Sequence, residues 1–151
     1  MNYELVQIEE KVVAGLRIRT SNSDKNMCDD IGMIWQKFFA AGIYQSIDSK
    51  KNNKSIGLYT NYENGTNGAY DVMVCCEVHK NSTLPDNVQS EIIPAGKYAK
   101  FIIYGHAQKA VAEFWTKLWN MDLDRKYSCD FEEYQGSDME NAEIHIYISL
   151  N

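Results

Sequence analysis

The sequence predicts an α+β domain. Two β-α-β-β units, related by a pseudo-two-fold axis, would pair into one antiparallel sheet with both helices on one face and a central ligand cleft between the halves. Three observations predict this. Short alternating apolar runs bounded by turn residues recur along the chain, two segments carry helical periodicity, and the order strand, helix, strand, strand occurs twice.

The elements follow in order. Tyr3–Ile8 alternates and is rich in β-formers, Glu9-Glu10-Lys11 interrupts it, and a second strand runs from Val12 to Thr20, where Leu16 and Ile18 alternate with Arg17 and Arg19. Ser23, Asp24 and Asn26 are available as N-caps for a helix over 29–41. Its apolar stripe is Ile31, Ile34, Trp35, Phe38 and Phe39, and Gly42 stands where a helix stops. Residues 43–54, with their run of lysines and asparagines, read as a solvated loop, with Tyr44 placed to close over something. Strands at 56–62 and 69–78 flank Asn64-Gly65-Thr66-Asn67-Gly68, a hairpin signal. A short strand over 88–92 precedes a turn at Pro94-Ala95-Gly96.

The second unit begins with a strand at 97–104. Gly105 and His106 lead into a helix over 107–120, whose stripe is Val111, Phe114, Trp115, Leu118 and Trp119. Strands at 129–135 and 142–150 complete it. In the last, Ile144, Ile146, Ile148 and Leu150 alternate with polar residues, so one face is core.

The two units also match in residues. Ala14-Gly15 is answered by Ala95-Gly96, and Trp35 by Trp115, with alanine-to-tryptophan spacings of 21 and 20 residues. Tyr59-Thr60-Asn61-Tyr62 is answered by Phe131-Glu132-Glu133-Tyr134. A duplication follows, with halves at about 11–78 and 93–150 inside a single domain spanning 1–151.

Composition narrows the function. A net charge of −6 opposes a phosphate backbone, so direct nucleic-acid binding is not expected. The start of the chain lacks a basic segment followed by an apolar core, and no apolar run is long enough to span a membrane, which fits a cytoplasmic protein. Cys28, Cys75, Cys76 and Cys129 form no C-x-x-C pair and read as free thiols. The three histidines show no ligand spacing, so neither a metal nor a cofactor is expected, and no nucleophile elbow or phosphate loop is present.

What remains is aromatic surface beside an acid. Strand alternation puts Glu132 and Tyr134 on one face and Phe131 and Glu133 on the other, so one of the two acids faces the cleft. Trp115 and Trp119 lie one helical turn apart, and core packing takes at least one of them, with Trp119 nearer the helix end. Trp35, Tyr59, Tyr62 and Tyr134 flank the cleft if the repeat holds.

Ile93-Pro94-Ala95-Gly96-Lys97-Tyr98, the helix carrying Trp115, and Phe131-Glu132-x-Tyr134 before an Ile-rich last strand resemble the GyrI-like small-molecule-binding family. That module is similar to the effector-binding domain of AraC-type and multidrug-responsive regulators. The resemblance runs from Tyr3 to Leu150. It implies a stand-alone, transcription-regulator-like bacterial effector-binding domain without a DNA-binding part. Glu132 would lie at the base of an aromatic pocket for hydrophobic, cationic or planar compounds, with Trp119, Trp115, Tyr134, Trp35 and Tyr59 as ligand-binding walls. It also leaves two alternatives open. One is a hydrolase of cyclopropane-containing alkylating toxins, with Glu132 as its catalytic acid or base. The other is a protein-interaction role such as protection of gyrase, with the protein partner unknown.

Overall fold

The computed structural model describes residues 1–151. One antiparallel sheet of eight strands carries the chain: β1 (Glu4–Ile8), β2 (Lys11–Ser21), β3 (Ser55–Thr60), β4 (Ala69–Val78), β5 (Gln89–Ile93), β6 (Gly96–Gly105), β7 (Cys129–Tyr134) and β8 (Ala142–Ser149). The helices are α1 (Met27–Ala40), the short α2 (Ile43–Ser46) and α3 (Ala107–Trp119). Strand order is β1-β6-β8-β7-β3-β4-β2-β5. The inner six strands are symmetric about the β3–β7 pair, with β2, β4 and β3 on one side answered by β6, β8 and β7 on the other. Each half is therefore a β-α-β-β unit, as expected, and the halves join through their third elements.

The outermost strands tie the two ends of the sheet together. Glu4↔Lys100 to Ile8↔Gly96 and Lys11↔Ile93 to Gly15↔Gln89 are in one unbroken register. Residues 4–15 and 89–100 thus form one long antiparallel ribbon. Pro94-Ala95 is a bend within it, not the turn expected there. Proline lacks an N–H for the ladder, so the pairing lapses for two residues and then resumes in step. Tyr98 OH, which donates to the Pro94 carbonyl at 2.8 Å, braces the bend.

Alternation along the central strands sorts side chains to two faces. Ile56, Leu58, Cys129 and Phe131 join Met73, Cys75 and Tyr98 in a core closed over by Val6, Ile8, Val13 and Ile93 of the ribbon. The opposite face of the same strands carries Gly57, Tyr59, Glu132 and Tyr134, and both long helices lie over it. Helix α1 seats Phe38 against Val74, Cys76 and Val78, while α3 seats Phe114 and Leu118 against Ala99, Phe101, Ile144 and Ile146. Cys75 and Cys76 thus belong to different cores, and all four cysteines are free thiols.

The aromatic match between Tyr59 and Phe131 does not survive as a structural equivalence. Tyr59 faces the helices, whereas Phe131 is buried in the opposite core beside Leu58. Because side chains alternate with period two, an alignment out of step by an odd number of residues, here three, exchanges the faces. The equivalence that respects the faces sets Tyr59 against Tyr134 and Gly57 against Glu132.

Residues 43–54 are only in part the loop expected: 47–54 form neither helix nor strand, but 43–46 form α2 and the segment is tied down. Gly42, at φ 74°, ends α1 in the left-handed conformation and starts α2. Ile43 and Ile47 are buried against Phe38, and Lys50 Nζ donates to the Tyr44 carbonyl at 2.9 Å. Lys51 and Lys54 pair with Glu77 and Glu133, each at 3.6 Å. The lysines neutralise acids on the adjoining strands, and composition alone could not reveal those partners.

Candidate functional site

The site begins with a missing side chain. Gly57 on β3 pairs with Glu132 on β7. A Cβ at Gly57 would stand 3.0 Å from Glu132 Oε1 and 3.2 Å from Trp35 Cζ2. The glycine leaves the space in which the carboxylate and the indole lie.

Three neutral donors hold Glu132. Tyr59 OH and Trp115 Nε1 both donate to Oε2 at 2.8 Å, and Tyr134 OH donates to Oε1 at 2.9 Å. The residue is 1% exposed. No lysine, arginine or histidine pairs with it, although nine lysine or arginine ion pairs with other carboxylates are present. Burial pushes its carboxyl above the ordinary 4.5, and the three donors counter that only in part. Burial also lifts the Tyr59 and Tyr134 phenols well above 10, helped by the nearby Glu132 charge, so both stay protonated donors.

Two tryptophan–tyrosine pairs flank the acid, each crossing between the halves. Trp115 of α3 meets Tyr59 edge-on, with centroids 5.3 Å apart at 70°. Trp35 of α1 meets Tyr134 at 5.0 Å and 75°. Edge-to-face geometry sets the positive rim of one ring against the π-face of the other, which fixes ring planes as well as positions. The pairs match about the β3–β7 axis, and the symmetry fails on the axis itself, where one half has Gly57 and the other Glu132.

Above this floor, between α1 and α3, lies a cavity of about 1450 Å³. Glu132, Trp35, Trp115, Trp119, Tyr59 and Tyr134 all line it. Trp115 and Trp35 reach the floor, while Trp119 stands at the wall and is 56% exposed. Glu133 lies on the other face of the sheet, bonded to Gln135 and paired with Lys54. Sequence reasoning missed Gly57, and no signal in the chain marks it. It also missed Asp130, which the same alternation places beside Glu132 on the helix face. Asp130 is fully buried and accepts from Tyr62 OH at 2.6 Å, Arg125 Nη2 at 2.8 Å and the Ser149 backbone N–H at 2.9 Å. No cluster of potential metal ligands exists, and no helix is long and apolar enough to cross a membrane.

Comparison with known proteins agrees with this fold. An integron cassette protein from the mobile metagenome of Vibrio cholerae has 29% identity and a TM-score of 0.82, over 99% of this chain and 95% of its own. The Bacillus subtilis (strain 168) protein YobU, described as a candidate transcriptional regulator, is 29% identical over 97% of this chain and 96% of its own. The structure of SAV2435 bound to tetraphenylphosphonium has the same fold, with a TM-score of 0.83 over 100% of this chain and 94% of that one at 19% identity. The sequence pattern that defines the integron-associated effector binding proteins matches residues 4–150, and this chain, GyrI-like in its fold, belongs to that family.

Proposed function

We propose that residues 1–151 act as a single small-molecule-binding domain for hydrophobic, flat or cationic compounds, held between α1 and α3 over Glu132. The observation that carries this reading is a buried carboxylate with only neutral donors, on the floor of an aromatic cavity. A charge in a low-dielectric site with no counter-ion raises the energy of the empty state, and a cationic guest supplies the missing partner. Ring faces add cation–π attraction of roughly 0.5–2 kcal/mol. A permanent cation with diffuse charge suits the site best, because its desolvation cost is small and its flat surface matches the indoles. SAV2435, solved with the lipophilic cation tetraphenylphosphonium, supports the reading by likeness of fold.

The test is a titration with tetramethylrosamine, a flat xanthylium cation, followed through tryptophan fluorescence. Saturable quenching is expected, and Glu132→Gln should weaken binding on the order of tenfold, roughly 1.4 kcal/mol. Equal affinity in the Gln variant would overturn the charge role.

A further inference from the structure

The cavity does not end at Trp119. A smaller hollow of about 330 Å³ adjoins it, and Asn22, Thr66, Trp119 and Arg125 border both. Leu118, Met121 and Leu123 give the smaller space an apolar wall. The cation at its border is Arg125, whose side chain is 9% exposed.

Arg125 is held firmly yet left under-satisfied. Nη2 donates to Asp130 Oδ2 at 2.8 Å, and the guanidinium lies over the Tyr127 ring with its centre 4.3 Å from the centroid. Nε is sealed off without a partner; Nη1 has none either, but it is not sealed. A guanidinium has five N–H donors, and donors left unmet in a buried place raise the energy of the fold. Asp130 has no capacity left to meet them. Its Oδ1 accepts from the Ser149 N–H and hydroxyl, and its Oδ2 from Tyr62 and Arg125. Asp130 is a positioning residue, which fixes the Nη2 corner of the guanidinium and leaves Nη1, the nitrogen that is neither bonded nor sealed, for something else.

We propose that this side hollow is a second subsite, in which Arg125 donates to a carbonyl or carboxylate oxygen of the compound whose cationic, planar part lies over Glu132. The proposal rests on the cation reading of Glu132 and narrows its ligand class to bipolar molecules: a flat cation carrying an oxygen acceptor. Asp130 and Glu132 are two residues apart on one face of β7, a separation of about 7 Å. The acceptor site and the cation site are therefore set apart along β7. Trp119 is the wall shared by the two spaces. Its exposed indole offers a flat surface to a ligand that spans them. The Arg125–Asp130 pair is neutral as a whole, so an uncharged carbonyl fits as well as a carboxylate.

Three dyes of one scaffold test it: tetramethylrosamine, tetramethylrhodamine and tetramethylrhodamine methyl ester. All share the xanthylium cation, and the ortho position of the phenyl ring carries hydrogen, carboxylate or ester. Against the wild-type protein, at least one oxygen-bearing dye is expected to bind about tenfold tighter than the rosamine. The carboxylate and ester arms separate an anionic acceptor from a neutral one. Arg125→Lys keeps a cation beside Asp130 but removes the planar fork, so it should bring the three affinities within about twofold of one another. A preference that survives in Arg125→Lys overturns the subsite. If that variant melts early, the wild-type series still decides, because equal affinities for all three dyes overturn it as well. If the rosamine itself does not bind, the cation reading at Glu132 fails and takes the bipolar ligand with it. If the rosamine binds through Glu132 but oxygen adds nothing, this subsite alone is wrong.

Discussion

Gly57 and Glu132 face each other across the β3–β7 pair, at the point where the two halves of the chain meet. The backbone of one half stays bare so that the carboxylate of the other can turn beneath Trp35 and Trp115. Adding one methyl group there tests the arrangement. In Gly57→Ala the new Cβ must displace Glu132 Oε1 or the Trp35 ring. We expect a loss of about 1–2 kcal/mol in urea unfolding from overpacking, with changed tryptophan emission. Stability and emission both equal to wild type would mean that the floor is slack.

The raised carboxyl of Glu132 sets the sign of two pH effects. With its folded pKa above the unfolded value, the folded state binds more protons in the window between them, so stability falls as pH rises through that window. The contribution is fully present below the unfolded pKa and lost above the folded one. Glu132→Gln should flatten this part of the stability profile, and the wild type should gain on the variant as pH drops from neutrality towards 4.5. Binding of a permanent cation runs the other way: affinity should fall on acidification in the wild type and stay flat in Glu132→Gln. Parallel pH profiles for the two proteins would contradict both.

Arg125 and Asp130 form a buried pair whose halves are unequal to replace. Arg125→Met leaves a fully buried carboxylate without its cation and should cost about 3–5 kcal/mol in chemical unfolding. Arg125→Lys should cost clearly less, because the charge remains. A loss below 1 kcal/mol for the Met variant would show that Tyr62 and Ser149 suffice to hold Asp130.

Trp119 and Trp115 should separate stability from binding. Trp119→Ala removes an indole that is 56% exposed and should change unfolding by no more than about 0.5 kcal/mol. Its effect should appear in dye affinity instead. Trp115→Phe removes the Nε1 donor from a buried carboxylate and should cost about 1–3 kcal/mol while raising the Glu132 carboxyl further. Equal unfolding curves for the two variants would remove this distinction.

Thiol titration checks the packing independently. Cys28 is exposed, while Cys75, Cys76 and Cys129 are buried. An aromatic disulfide reagent should react with one thiol per native chain and with all four after denaturation. Fast reaction of a second native thiol would mean that one of the two cores beneath β4 is open.

The sequence by itself determined the repeated order of elements, the two helices and the strand alternation that separates Glu132 from Glu133. These are local properties. A helix shows its stripe at i, i+3 and i+4, and a strand shows its faces every second residue, whatever the chain does elsewhere. The Pro94 bend misled because proline marks an interruption without saying whether the strand resumes. The lysines of 50–54 lie in a loop, as their composition says, but their charge shows nothing of the partners they meet on other strands. Gly57 carried no signal at all, since its role is the absence of atoms beside a residue 75 positions away. Only the tertiary structure decided that Glu132 meets three neutral donors and no cation, that the Trp–Tyr pairs cross between halves, and that Arg125 borders a second hollow. Each of those depends on register and on contacts between distant segments, and close packing settles them only when the whole sheet has formed.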